Sequence, residues 1–303
     1  MIDLSVDING IKFDNPVIAA SGTFGFGREF KDYVDLNMIG GIAVKGLTLE
    51  PRQGNRPPRI AETPAGILNS VGLQNPGVEA FIRDEIPFLR KYKTKIIANI
   101  AGNTIEDYCK MAEMLSGEDI DGIELNVSCP NVKRGCVAFG TTPEGISEIT
   151  KSVKKYCKKP LIVKLTPNVT DIKEVAKAAE DSGADAISLI NTILGMAIDI
   201  HKKRPILANN MGGLSGPAVK PIAVRMVYEV AQTVNVPVIG MGGISSGEDA
   251  VEFMLAGASA IMVGTYNFIN PKACEDVVNG IKKYMETYGY KSVYDIIGKV
   301  SLN

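Results

Sequence analysis

The sequence has one histidine, no pair of cysteines two residues apart, no excess of either charge and no long apolar run. His201 stands in the charged tip His201-Lys202-Lys203-Arg204 and reads as a solvated loop residue, so a histidine-based catalytic pair or metal cage is not available. The five cysteines (Cys109, Cys129, Cys136, Cys157 and Cys274) are odd in number and lack a C-x-x-C pair. That argues against a disulfide framework, an iron–sulfur cluster or a zinc site in this chain, and no metal is expected. With 33 basic and 34 acidic residues the net charge is −1, which gives no electrostatic footprint for nucleic acid or an anionic membrane. No run approaches the roughly 20 apolar residues of a membrane span. Met1-Ile2-Asp3-Leu4 carries an acid and no basic n-region, unlike a signal peptide. A cytoplasmic enzyme is the expectation, and 303 residues suit one α/β barrel domain of about 250 residues plus insertions.

What is present alternates regularly. Asn9-Gly10 between apolar–polar alternations signals an N-terminal hairpin. Short apolar or β-branched runs then recur at 17–21, 41–45, 95–99, 122–126, 161–165, 186–190, 237–241 and 260–264. Their near-continuous hydrophobicity is what strands covered on both faces require. Helical spacing fills the gaps at 78–92, 104–115, 143–156, 171–182, 217–233, 247–256 and 271–288, with Pro143, Pro217 and Pro271 at first turns. Eight strands alternating with helices predict a (β/α)8 TIM barrel. An open doubly wound sheet is the alternative, but no glycine-rich dinucleotide fingerprint follows the first strand. Two connections, 46–77 and 191–216, exceed the usual βα-loop length and lie on the face where strands end, as insertions over a barrel's active face would.

The strand ends carry the chemistry. Ser21, Lys45, Asn99, Asn126, Lys164, Asn191-Thr192, Gly242-Gly243 and Gly264-Thr265 would converge on one mouth. Two lysines there are costly to desolvate unless an anion or an electron-rich ring receives them. Glycines after strands seven and eight occupy the usual phosphate site of a barrel. A phosphate held there, with amides and a cation such as Lys164 around a ring, suits flavin mononucleotide. After 122–126 the chain changes to Asn126, Ser128, Cys129, Pro130 and Asn131, and Pro130 cannot extend a strand. Cys129 is either a base for proton transfer or a small buried thiol at a strand end.

Several motifs together resemble the dihydroorotate dehydrogenases over nearly the whole chain. They are Asn126-x-Ser128-Cys129-Pro130-Asn131, Asn69-Ser70-Val71-Gly72-Leu73-Gln74-Asn75-Pro76-Gly77, Ser21-Gly22, Lys164-Leu165-Thr166-Pro167-Asn168 and Gly213-Leu214-Ser215-Gly216. The resemblance implies a barrel that carries FMN and oxidises dihydroorotate to orotate in pyrimidine biosynthesis. Cys129 matches the cysteine base of class 1; class 2 has a serine there and an N-terminal membrane-associating segment. Val132-Lys133-Arg134-Gly135 and Ala138-Phe139-Gly140 look like the NAD-linked class 1B rather than the fumarate-linked class 1A, and Cys136 is a bystander.

By the same resemblance, Lys45, Asn69, Ser70, Val71, Gly72 and Leu73 would hold substrate, with Asn126, Asn131, Asn191 and Thr192. FMN would lie on Ser21, Lys45, Gly46, Asn99, Asn126 and Lys164, and on Ile190, Gly216, Gly242, Gly243, Gly264 and Thr265. Class 1B further implies a barrel homodimer joined by a separate subunit with FAD and a 2Fe–2S cluster, a heterotetramer that passes electrons to NAD⁺. Three other readings stand beside it: a fumarate-linked or other dihydropyrimidine-oxidising flavoenzyme, a non-redox barrel enzyme acting on a sugar phosphate, and a barrel kept only as a scaffold.

Overall fold

Strands that are apolar on both faces must be covered on both, and a closed parallel barrel ringed by helices does this. The computed structural model of the chain describes residues 2–128 and 139–303. Its eight barrel strands are β1 (Val17–Ala19), β2 (Gly41–Ala43), β3 (Lys95–Ile100), β4 (Gly122–Asn126), β5 (Leu161–Lys164), β6 (Ala186–Leu189), β7 (Val238–Met241) and β8 (Ala260–Val263). All neighbours are parallel, and the barrel closes where Met262 of β8 pairs with Ile18 of β1. The TIM barrel expected from the alternation is the observed fold.

Six helices follow the later strands: α1 (Ile105–Ser116), α2 (Pro143–Lys154), α3 (Ile172–Asp181), α4 (Lys220–Ala231), α5 (Gly247–Leu255) and α6 (Ala273–Tyr288). Each buries one stripe, as Ile146, Ile149 and Val153 do in α2. Side-chain oxygens satisfy first-turn N–H groups that have no partner within the helix. Thr104 and Asp107 form a reciprocal capping box on α1, Thr142 caps α2, and Ser246 caps α5.

Between β1 and β2, where no helix is expected, a short 3₁₀ turn forms, Leu36–Met38. Two of the expected helices differ in part from the structure. The helix expected over 78–92 runs from 78 to 89 and passes through a π turn at Phe81–Glu85. Pro87 follows that turn and has no N–H to offer the carbonyl four residues back. The helix expected from Pro217 begins as a 3₁₀ turn, Pro217–Val219, and becomes α-helical at Lys220.

The long connections are not structureless. Ile60–Thr63 and Gly66–Asn69 from the first join Ile193–Gly195 and Gly212–Ser215 from the second in one antiparallel four-stranded sheet. Its central register sets Asn69 opposite Gly213 and Leu68 opposite Leu214. At the other end of the barrel, the hairpin Val6–Ile8/Ile11–Phe13 turns through Asn9 and Gly10, both at positive φ. Its side chains seat on bare strand starts. A Cβ on Gly41 would stand 2.7 Å from the Phe13 ring, and one on Gly122 would stand 2.7 Å from Ile11 Cδ1.

A second glycine contact joins two outer helices. A Cβ on Gly247 would stand 2.4 Å from the Gly280 Cα, and one on Gly280 would stand 2.7 Å from the Gly247 Cα. These are backbone atoms, which no rotamer change can relieve. Alanine at position 280 gains about 1 kcal/mol of helix propensity, but overpacking costs about 1–3 kcal/mol. The clash wins. Gly280→Ala is expected to lower the thermal unfolding midpoint by several degrees, measured by circular dichroism; an unchanged or raised midpoint would show that α5 and α6 separate freely.

Candidate active site

Parallel strands deliver every C-terminal residue to the same face, so the polar strand ends meet there. They line one cavity of about 1370 Å³. Ser21, Lys45, Gly46, Asn99, Asn126 and Lys164 reach it from β1 to β5 and the residues just beyond. Ile190, Gly216, Gly242, Gly243, Gly264 and Thr265 reach it from the other side. Asn69, Ser70, Val71, Gly72, Leu73, Asn191 and Thr192 line the same space. Two site residues expected from the sequence, Cys129 and Asn131, lie outside the described residues, as does Cys136.

Lys164 is 5% exposed and faces into the barrel. It donates to Ser21 Oγ at 3.2 Å and stands 3.8 Å from the buried carboxylate of Glu124. That carboxylate also accepts from Asn99 Nδ2 at 2.5 Å and from Ser188 Oγ at 2.7 Å. Neither Glu124 nor Ser188 was expected from the sequence. The signal was an acidic residue inside a run whose strand is covered on both faces.

The amides at the mouth are held by their neighbours. Asn126 Oδ1 accepts from Asn191 Nδ2 at 3.3 Å and from the Ser128 N–H at 3.2 Å. The Tyr108 hydroxyl donates to the Asn126 carbonyl at 2.8 Å. Asn168, also outside the expected set, braces the loop after β6. It donates to the Thr192 carbonyl at 3.0 Å and accepts from the Leu194 N–H at 2.9 Å. On the opposite wall Asn55 donates to the Ser70 carbonyl at 2.8 Å. A Cβ on Gly72, whose φ is +77°, would fall 2.5 Å from the Asn55 amide, so the turn needs glycine.

Lys45 is only partly buried, and its Nζ lies 3.4 Å from the Gly22 carbonyl. Burial pushes its pKa below the usual lysine value; the positive charge of Arg59 pushes the same way, and Glu29 opposes both. Two positive charges, Lys45 and Arg59, thus act on one another here, opposed in part by the carboxylate of Glu29.

Three buried side-chain oxygens on this cavity, Asn99 Oδ1, Ser70 Oγ and Ser128 Oγ, have no hydrogen-bond partner among the described residues. Such atoms are rare in a finished interior and call for a ligand or water. On the far side Gly242 and Gly243 have φ of +128° and +81°. A Cβ on Gly264 would meet nothing nearer than Ala20 Cβ at 3.6 Å. Thr265 donates to Ser215 Oγ at 2.8 Å beside them. A cation, an unpaired amide oxygen and bare backbone across the mouth fit a planar polar ring that carries a phosphate tail.

A family model for dihydroorotate dehydrogenase matches residues 3–285. The chain is 64% identical over 298 residues to a protein of Alkaliphilus oremlandii named dihydroorotate dehydrogenase B (NAD(+)), catalytic subunit, covering 98% of this chain and 99% of that one. Identically named proteins of Thermoanaerobacter pseudethanolicus and Bacteroides thetaiotaomicron are 59% identical over 302 residues and 58% identical over 303, each covering 100% of both chains. Among the described residues no helix is long and apolar enough to cross a membrane.

The environment of Lys45 has a measurable consequence for stability. Its folded pKa is depressed, so below that value the fold carries a charge it disfavours. Between the folded and unfolded pKa the unfolded chain binds more protons, and stability rises with pH. Lys45→Met is expected to raise the thermal midpoint at pH 7, and the gain over the parental protein should shrink as the pH climbs towards 10.5. A gain that does not change across that range would mean the lysine's charge is not strained in the fold.

Proposed function

The chain belongs to the dihydroorotate dehydrogenase family, and we propose that it is the catalytic subunit of an NAD⁺-linked enzyme that oxidises dihydroorotate to orotate in pyrimidine biosynthesis. The observation that carries this reading is the full-length likeness to catalytic subunits of that name, in a chain whose strand-end polar residues share one cavity. All of residues 1–303 would act as a single FMN-binding barrel domain in the cytoplasm.

FMN, when bound, supplies the acceptor for the hydride that leaves carbon 6 of dihydroorotate. Lys164 would place its positive charge at the pyrimidine edge of the ring, with Ser21, Asn99 and Asn126 around it. Gly242, Gly243, Gly264 and Thr265 would take the phosphate against bare backbone. Gly46, Ile190 and Gly216 would border the ring and its tail. Lys45 would serve both ligands and would meet the substrate carboxylate; its depressed pKa would be relieved by that anion. Asn69, Ser70, Val71, Gly72 and Leu73 would form one wall around dihydroorotate. Asn126, Asn191 and Thr192 would form the other, with Asn131 from outside the described residues.

Cys129 would take the proton from carbon 5. A free thiol titrates near ~8.5, so the site must favour its thiolate for it to act as a base at neutral pH. The name of the relatives, catalytic subunit, supports a separate partner subunit. FAD and a 2Fe–2S cluster in that partner would carry the electrons on to NAD⁺, with the barrel as a homodimer at the centre of a heterotetramer.

Freshly purified protein should show a flavin band near ~450 nm that dihydroorotate bleaches. Cys129→Ala should keep its FMN and slow that bleaching by about two to four orders of magnitude; bleaching at the parental rate would remove Cys129 from the role of base. The purified barrel should reduce NAD⁺ only after the partner subunit is added. Efficient NAD⁺ reduction by the barrel alone would defeat the two-subunit reading, and brisk turnover with fumarate would move the chain to the other acceptor class.

A further inference from the structure

Glu124 is a buried carboxylate that the reaction does not use. It sits on β4, fully enclosed in the barrel directly below the mouth. Removing an ion from water is costly unless partners surround it, and here they come from three other strands. Ser188 of β6 donates to Oε1 at 2.7 Å, Asn99 of β3 donates to Oε2 at 2.5 Å, and Lys164 of β5 stands 3.8 Å from Oε2. Asn99 is also the residue opposite Glu124 in the β3–β4 register.

A carboxylate can only accept, so the Asn99 amide has one workable orientation. Its NH₂ faces down to Glu124, which leaves Oδ1 as the atom for the cavity. That oxygen is buried without a partner among the described residues, and a Cβ on Gly46 would stand 3.0 Å from it. Lys164 has three donors, of which one is used on Ser21 Oγ at 3.2 Å. At 3.8 Å the contact with Glu124 is Coulombic and is too long for a hydrogen bond. Donor capacity is therefore left for the ligand.

We propose that Glu124 is a positioning residue that sets Asn99 as an acceptor and Lys164 as a charged donor at the cavity floor. Together they read a ring edge on which an N–H stands beside an acceptor atom, as on the imide edge of a flavin. The inference rests on the reading that this cavity holds FMN. The carboxylate also offsets the lysine charge, so that the floor is close to neutral overall.

The test compares full-length Glu124→Leu, Glu124→Gln, Asn99→Ala and the Glu124→Leu/Asn99→Ala pair with the parental holoprotein. FMN dissociation constants are read from fluorescence recovery on dilution, with the flavin midpoint potential and the thermal midpoint alongside. Glu124→Leu should weaken FMN binding about tenfold or more, and Asn99→Ala should add little on top of it. Glu124→Gln should restore binding, because its amide oxygen can still accept from Asn99 Nδ2. It should nevertheless raise the midpoint potential, because the charge on Lys164 is no longer offset. Parental FMN affinity in Glu124→Leu, or full additivity of the two substitutions, would overturn the proposal and leave the function standing. If Glu124→Leu yields no folded protein, an unchanged potential in Glu124→Gln overturns it. A folded parental protein that takes up no FMN would refute the functional reading, and this inference with it.

Discussion

Eight parallel strands can remove their exposed edges only by closing on themselves, and closure fixes nearly everything else here. Because the strands run in one direction, every last residue arrives at the same rim. Residues separated by more than a hundred positions, such as Ser21 and Lys164, become hydrogen-bonded neighbours. No local propensity could bring them together.

Closure also creates an electrostatic difficulty, since an inward side chain on a barrel strand has no route to water. Lys164 and Glu124 meet it as a pair: Asn99 and Ser188 donate to the carboxylate, and Ser21 accepts from one of the lysine's donors. Lys45, just beyond β2, has no carboxylate in salt-bridge contact among the described residues, and the pull of Glu29 does not outweigh burial and Arg59. The two lysines show how position along a strand decides between a buried, compensated charge and a charge waiting for a ligand. At Lys45 the fold carries a charge that burial disfavours.

The barrel and its rim were legible because period and punctuation agree. Apolar runs such as 161–165 end abruptly in polar residues, and those ends mark the site. Glu124 was harder to read, because one acid in Gly122-Ile123-Glu124-Leu125 stands out as buried only once the strand is taken as covered on both faces, where it is fully enclosed. The four-stranded sheet was missed for a different reason. Its strands are short and glycine-rich, and the central pairing joins Asn69 to Gly213 across the chain, a partnership that periodicity within either loop cannot reveal. Pro87 and Pro217 left visible marks, but a π turn and a 3₁₀ turn accompany them rather than helix ends.

The seam between β8 and β1 bears on how the chain comes off the ribosome. Ile18 waits for Met262, so the barrel cannot shut until the chain has been made as far as β8. Until then β1 and the growing edge of the sheet each present an unpaired backbone, the kind of surface on which nascent chains associate wrongly. The hairpin before β1 is made first and needs no distant partner to pair its own strands. It can shield the Phe13 and Ile11 side of the half-built barrel while synthesis continues. The last strand then acts as a late checkpoint, because a truncated product lacking it would retain both the open edge and an incomplete rim, and would stand out to proteases as unfinished.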